Sequence, residues 1–190
     1  MPHICDPAHR KRLNSAERRK RLPPGKIMTD IGLKAGDVLV DIGCGPGFFA
    51  LPAAERVGPR GRVYGIDISP EMISDLILTA RKKHLSNVKA ILAPPHRPKL
   101  PRGADVYFMM NVLHEVEDRP ALLRAVRRSS KKTSRLAIID FYKKRTKHGP
   151  PLRDRISPAM LDALLKKAGF APVRVGQVND EEYGVIAVPD

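Results

Sequence analysis

Asp41-Ile42-Gly43-Cys44-Gly45-Pro46-Gly47 sets a carboxylate just ahead of three alternating glycines, and a second carboxylate, Asp67, follows 20 residues after the last of them. Missing side chains permit turns that a β-carbon would forbid and let backbone come close to a ligand. The stretch lacks the Lys-Ser/Thr ending of a phosphate-gripping loop, which argues against ATP or GTP. A carboxylate at Asp41 would repel a pyrophosphate but suits an ammonium group. Asp67 stands where a carboxylate can accept hydrogen bonds from both hydroxyls of a ribose. Taken singly, Asp41 also reads as a turn residue and Asp67 as a helix cap; it is the combination with the glycines that points to a ligand.

A second group lies further along. Asn111, His114 and Glu115 follow an apolar run, and Tyr142 follows another. A His there can take a proton or position a substrate, the roles a general base performs. Its plainer reading is a loop-to-helix junction whose His and Glu satisfy local backbone. Tyr142 reads either as a pocket wall or as packing with its hydroxyl at the surface.

These residues need elements to hold them. The apolar runs "DVLVDI" (37–42), "GRVYGIDI" (61–68), "NVKAIL" (87–92), "ADVYFMM" (104–110) and "SRLAIIDFY" (134–142) read as strands. Between them, "GFFALPAAERVG" reads as a helix, Ser69-Pro70 opens another through about His84, and "DRPALLRAVRRSS" has an apolar face of Leu122, Leu123 and Val126. Ser157-Pro158 caps "AMLDALLKKAG". The tail, "APVRVGQV" and "YGVIAVP", has no helix between its strands and predicts a hairpin. Near the start, "NSAERRKRL" predicts a short helix capped by Asn14 or Ser15 and stopped by Pro23 and Pro24. Strand–helix alternation ending in a hairpin describes an α/β sheet that is mostly parallel. Such sheets bind ligands beyond the carboxyl ends of their strands, where strand order reverses.

The stretch "VLVDIGCGPGFFALPAAERVGPRGRVYGIDISPEM" resembles the first half of a class I S-adenosylmethionine-dependent methyltransferase. The resemblance continues through "NVLHEVEDRPALLRAVRRSSKKTSRLAIIDFYKK" and "ISPAMLDALLKKAGF", where it is closest to the small-molecule branch that includes ubiquinone/menaquinone-type and arsenite methyltransferases. It implies a Rossmann-like, seven-stranded, mostly parallel sheet with helices on both faces and a reversed terminal strand. It implies S-adenosyl-L-methionine as cofactor, with Asp41, Gly43, Cys44, Gly45 and Gly47 around the methionine part. Asp67 would hold the ribose, Ile68 and Met72 would lie near the adenine, and residues 109–114, Asn111 and His114 among them, would line the mouth where the acceptor enters. Relatives commonly carry an Asp after the third strand that bonds the adenine amino group; here Pro94 occupies that place and offers no acceptor.

The resemblance covers roughly residues 30–190 and sets a domain at 27–190, with residues 1–26 a basic segment that could close over the pocket. His3, Cys5 and His9 sit close together in that segment, but a lone cluster at a chain end makes no metal site, and none is expected. With two Cys in all, arsenite is a poor acceptor and a reducing, cytoplasmic setting is expected. No apolar run approaches the length of a membrane span.

The formal net charge of +15 gathers in residues 1–26, with eight Lys or Arg against two acidic residues, and in 124–155, with twelve against two. Such a field attracts anionic metabolites, nucleic acid or anionic membrane surfaces. The resemblance to the small-molecule branch makes a small organic or anionic acceptor the first expectation. RNA docked through regions 10–26 and 124–155, a protein acceptor, or a degenerate binding module with the same fold are the alternatives. Few aromatics and no Trp leave little for bases to stack on.

Overall fold

The computed structural model describes residues 13–94 and 98–190. His3, Cys5 and His9, and residues 10–12 of the first basic region, lie outside that range. Elements follow in chain order as α1 (Ala16–Arg21), α2 (Pro24–Asp30), β1 (Val38–Ile42), α3 (Ala50–Val57), β2 (Arg62–Asp67), α4 (Pro70–Lys82) and β3 (Val88–Leu92). After them come β4 (Val106–Met110), a 3₁₀ turn (Leu113–Glu115), α5 (Arg119–Ser129), β5 (Arg135–Phe141), α6 (Pro158–Lys167), β6 (Phe170–Gln177) and β7 (Glu182–Pro189). The seven strands form one sheet in the order β3-β2-β1-β4-β5-β7-β6. The first five are parallel, and β7 runs antiparallel to both β5 and β6. The expected hairpin is thus the reversed edge of the sheet.

Helix starts follow local chemistry. Ser69 accepts from the Met72 amide and Ser157 from the Met160 amide, each with Pro at the first helical position. Asp118 accepts from the Ala121 amide at the head of α5. These caps satisfy amides that have no partner within the helix. Pro23-Pro24, expected to end structure, does end α1, yet Pro24 then opens α2. Proline lacks only an N–H that would be unpaired at that position anyway.

The sheet separates two apolar layers because alternate strand residues face opposite sides. Leu39, Phe108, Ala137 and Ile139 pack with Phe48 and Phe49 after the glycine loop, Leu51 of α3, Leu76 of α4, and Ile27 and Met28 of α2. Val40, Tyr107, Met109, Leu136 and Ile138 pack with Leu122, Leu123 and Val126 of α5 and Leu161 and Leu165 of α6. Strand β4 is buried along its whole length, as a central parallel strand must be. Leu22, Ile27, Met28, Ile31 and Leu33 belong to the first layer, so the stretch between α1 and β1 is part of the core.

Candidate functional site

Chain order runs β1-β2-β3 toward one edge and β4-β5 toward the other, so direction reverses between β1 and β4. Beyond the carboxyl ends of these two strands lies a cavity of about 1480 Å³. The turn leaving β1 requires glycine at its first position. Gly43 has φ +71°, and a β-carbon there would run into the Val112 side chain. Where β4 ends, Asn111 takes φ +57°, a left-handed conformation that Asn tolerates better than most residues. The loop after β1 and the loop after β4 therefore turn into the same space. Asp41, Gly43, Cys44, Gly45, Asp67, Ile68, Met72, Asn111 and His114, all expected at the site, line it.

Among the described residues, two buried side-chain acceptors have no hydrogen-bond partner, Asp41 Oδ2 and Asn111 Oδ1, and both belong to residues that line this cavity. The Asn111 orientation is fixed by its other end, where Nδ2 donates to Glu182 Oε1 at 2.8 Å. Burial, and next the nearby Asp67, push the Asp41 carboxyl up to about 7, against the pull of Arg18. A carboxylate held so unfavourably calls for a cation or donor. Asp67 is better satisfied: Oδ2 accepts from Gly45 N at 2.8 Å and Oδ1 from Ser69 N at 3.0 Å. Each of its oxygens keeps a second lone pair for a hydroxyl. Ile68, Met72, Ala93 and Pro94 add an apolar wall alongside Asp67. A molecule bearing an ammonium, a ribose and an apolar ring fits this set, so the residues fit S-adenosylmethionine.

Two expected residues lie off the cavity, and a third, Cys44, lines it as expected but as an unreactive wall. Gly47 does not line the cavity; its φ is +93°, and a β-carbon would lie 2.6 Å from Leu76 Cδ1, so glycine is needed there for packing against α4. Cys44 lines the cavity, but burial pushes its thiol well above the ordinary range, which makes it an inert wall. Tyr142 is not at the cavity either. Phe141 lines it, and the next residue turns the other way, so the Tyr142 ring packs against Tyr183 with centroids 5.2 Å apart.

His114 is 4% exposed and has a partner absent from the sequence expectations. Its Nδ1 lies 2.6 Å from Oδ1 of Asp140, a 1%-exposed residue on β5. Asp140 also accepts from the backbone N–H groups of His114 and Phe141. A carboxylate oxygen can only accept from the ring, so Nδ1 is the donor in this contact and Nε2 is the ring nitrogen left for another group. Glu115 Oε1, at 3.8 Å from Nε2, is outside hydrogen-bond range. The sequence signal for Asp140 was a lone charge inside "LAIIDF", a run otherwise buried in apolar layers.

The N-terminal helix closes one side. Leu13, Ser15, Glu17, Arg18 and Arg21 line the cavity, and the Arg18 guanidinium lies 4.5 Å from the Phe48 ring centroid. Arg21 Nη1 pairs with Glu182 Oε2 at 2.7 Å and Glu181 Oε2 at 3.2 Å. Glu182 is fully buried and also accepts from Asn111 and Asn179. Breaking a buried pair typically costs about 3–5 kcal/mol. Arg21→Ala should cost less, about 2 kcal/mol, because the two amides still donate to Glu182. The check is thermal unfolding, where a loss of that size lowers Tm by about 4–8 °C.

Comparison with known proteins agrees with this geometry. A methyltransferase domain family matches residues 33–169. A crystal structure of an S-adenosylmethionine-dependent methyltransferase from Aquifex aeolicus superposes with a TM-score of 0.92 at 31% identity, covering 98% of this chain and 100% of that one. Aklanonic acid methyltransferase of a Streptomyces species is 39% identical over 80 residues, 42% of this chain and 36% of that protein. A 2-phytyl-1,4-naphtoquinone methyltransferase of Trichormus variabilis is 35% identical over 117 residues, 59% of this chain and 50% of its own. The chain spans half or less of the length of these two curated relatives.

Proposed function

Since the chain belongs to the methyltransferase domain family, we propose that it moves a methyl group from S-adenosylmethionine to a small organic acceptor bearing a removable proton. The observation that carries this reading is the pair of unpartnered buried acceptors, Asp41 Oδ2 near the end of β1 and Asn111 Oδ1 just after β4, on residues that line one cavity. Both would receive the ammonium of the cofactor, and Asp67 its ribose hydroxyls. When bound, that cofactor supplies an electrophilic methyl group. Asp41 and Asn111 anchor, Ile68 and Met72 exclude water from the apolar wall, and His114 Nε2 takes the acceptor's proton while Asp140 holds the ring. Displacement in line needs little more than such alignment and proton removal.

Size supports a small acceptor. Pockets for one ligand usually run about 300–1,000 Å³, and this cavity exceeds that range, leaving room beside a cofactor. The relatives named for a naphtoquinone and for aklanonic acid support an organic acceptor of that kind. Residues lining the cavity from Leu13 to Arg21 support the reading of the N-terminal segment as a lid over domain 27–190.

Calorimetric titration with S-adenosylhomocysteine tests the cofactor half. Micromolar binding is expected, with a proton released near pH 7 as the ligand's ammonium ionises Asp41; the release shows as a binding enthalpy that changes with the buffer. Absence of binding by calorimetry and by a second method would overturn the proposal. A labelled-methyl screen tests the acceptor half, and transfer to RNA with none to metabolites would overturn the small acceptor.

A further inference from the structure

Residues 143–155 carry a loop that the proposed chemistry does not use. Lys143, Lys144, Arg145, Lys147 and Arg153 are all exposed on it, and so is Leu152, at 39%. Lys144 leans over the Tyr142 ring, Lys147 reaches Glu17 only at 3.9 Å, and Arg153 reaches its neighbour Asp154 at 3.8 Å. Lys143 and Arg145 have no acidic partner among the described residues. A solvated run of charges has no need of an anchor, yet this one has a strong one. Arg155, 4% exposed, donates to the carbonyls of Pro150, Tyr142, Lys144 and His148 and to Thr146 Oγ1. One buried guanidinium thus spends its donors on holding an exposed cationic loop in one shape. His148, Gly149, Pro150 and Pro151 of the same loop line the cavity, so the basic surface and the apolar Pro150-Pro151-Leu152 tip stand at its rim.

We propose that this loop docks the protein on an anionic lipid surface, with Leu152 entering the interface and the cavity mouth facing the bilayer. The inference rests on the acceptor reading above only for what the bilayer would deliver, an apolar acceptor dissolved in it. Clustered Lys and Arg are drawn to anionic headgroups, and an apolar tip among them gains by burial at the acyl boundary. A nucleic-acid partner explains the charge but not the tip. Within the loop only His148 carries an aromatic ring, and it is held by Glu181 at 2.8 Å, while Tyr142 behind it is committed to Tyr183 and Lys144. No helix among the described residues is long and apolar enough to cross a membrane, which agrees with contact from one side.

Co-sedimentation of the full chain with vesicles decides it. Binding is expected to phosphatidylcholine mixed with phosphatidylglycerol, weakening as salt rises, and not to phosphatidylcholine alone. Combined Lys143→Glu, Arg145→Glu and Arg153→Glu should lower the partition coefficient by about 100-fold or more, and Leu152→Ser by about 10-fold. Both variants should keep the wild-type Tm and S-adenosylhomocysteine affinity, so a failure of docking is distinguishable from a failure of the methyltransferase reading. Equal partition into neutral and anionic vesicles overturns the proposal, as does a triple variant that partitions like wild type. Tight binding of a duplex RNA at a salt concentration where vesicles are not bound would also overturn it and assign the loop to nucleic acid.

Discussion

Asp41→Asn is expected to make the protein more stable at pH 8 and a much poorer binder of S-adenosylhomocysteine. The sign follows from the raised carboxyl. Its value climbs from 3.8 to about 7 on folding, so between those limits the folded state holds a proton that the unfolded chain has lost. Stability therefore falls as pH rises through that window, by up to about 4 kcal/mol at 1.36 kcal/mol per unit. Asn carries no charge to desolvate and escapes this loss. It leaves a buried amide without a partner, which costs about 1–3 kcal/mol, so the net gain at pH 8 is on the order of 1–3 kcal/mol, or several degrees in Tm. The wild-type loss shrinks toward pH 3.8, so by pH 5 it does no more than offset the cost of the buried amide and the gain should vanish. Affinity moves the other way, because a hydrogen bond to a charged group contributes about 1.5–3 kcal/mol, a loss of roughly 10- to 150-fold. Scanning calorimetry of both proteins from pH 5 to 8, with titrations at pH 8, reads both effects. Equal destabilisation of the variant at every pH would show that Asp41 is a structural residue rather than a charge held ready for a ligand.

The sequence made the sheet legible because its strands are short apolar runs and its helices open with their own caps. Ser69-Pro70 and Ser157-Pro158 announce α4 and α6 locally, with no need of tertiary information. The cavity-lining carboxylates were legible for the same reason, since Asp41 and Asp67 stand at the carboxyl ends of adjacent strands. What stayed hidden depends on contacts between distant residues. Asp140 meets His114 across β5, and Arg21 meets Glu181 from the other end of the chain. Nothing in the spacing of either pair marks it. The Gly47 reading failed for a subtler reason: a glycine required by Leu76 looks, in sequence, the same as one required by a ligand. Tyr142 failed by parity, because strand alternation gives the cavity side to Phe141 and takes it from its neighbour.

His114→Ala should leave cofactor affinity unchanged and slow methyl transfer by about 10²- to 10⁴-fold, the usual range for a lost general base. Asp140→Asn separates a positioning role from a structural one. Asp140 takes three donors, the His114 ring and the backbone N–H groups of His114 and Phe141, and an amide at that place can accept with one end only. Its NH₂ must face a backbone donor or the ring. In the second case the opposite tautomer is favoured, with the proton on Nε2, where it cannot accept from a substrate. The expected signature is a lower kcat with KM for the acceptor and S-adenosylhomocysteine affinity preserved. A structural role alone would lower Tm and leave kcat of the folded fraction intact. If His114→Ala turns over as fast as wild type with an acceptor found in the labelled-methyl screen, the site works by alignment alone. The dyad would then serve to hold the loop after β4 against β5.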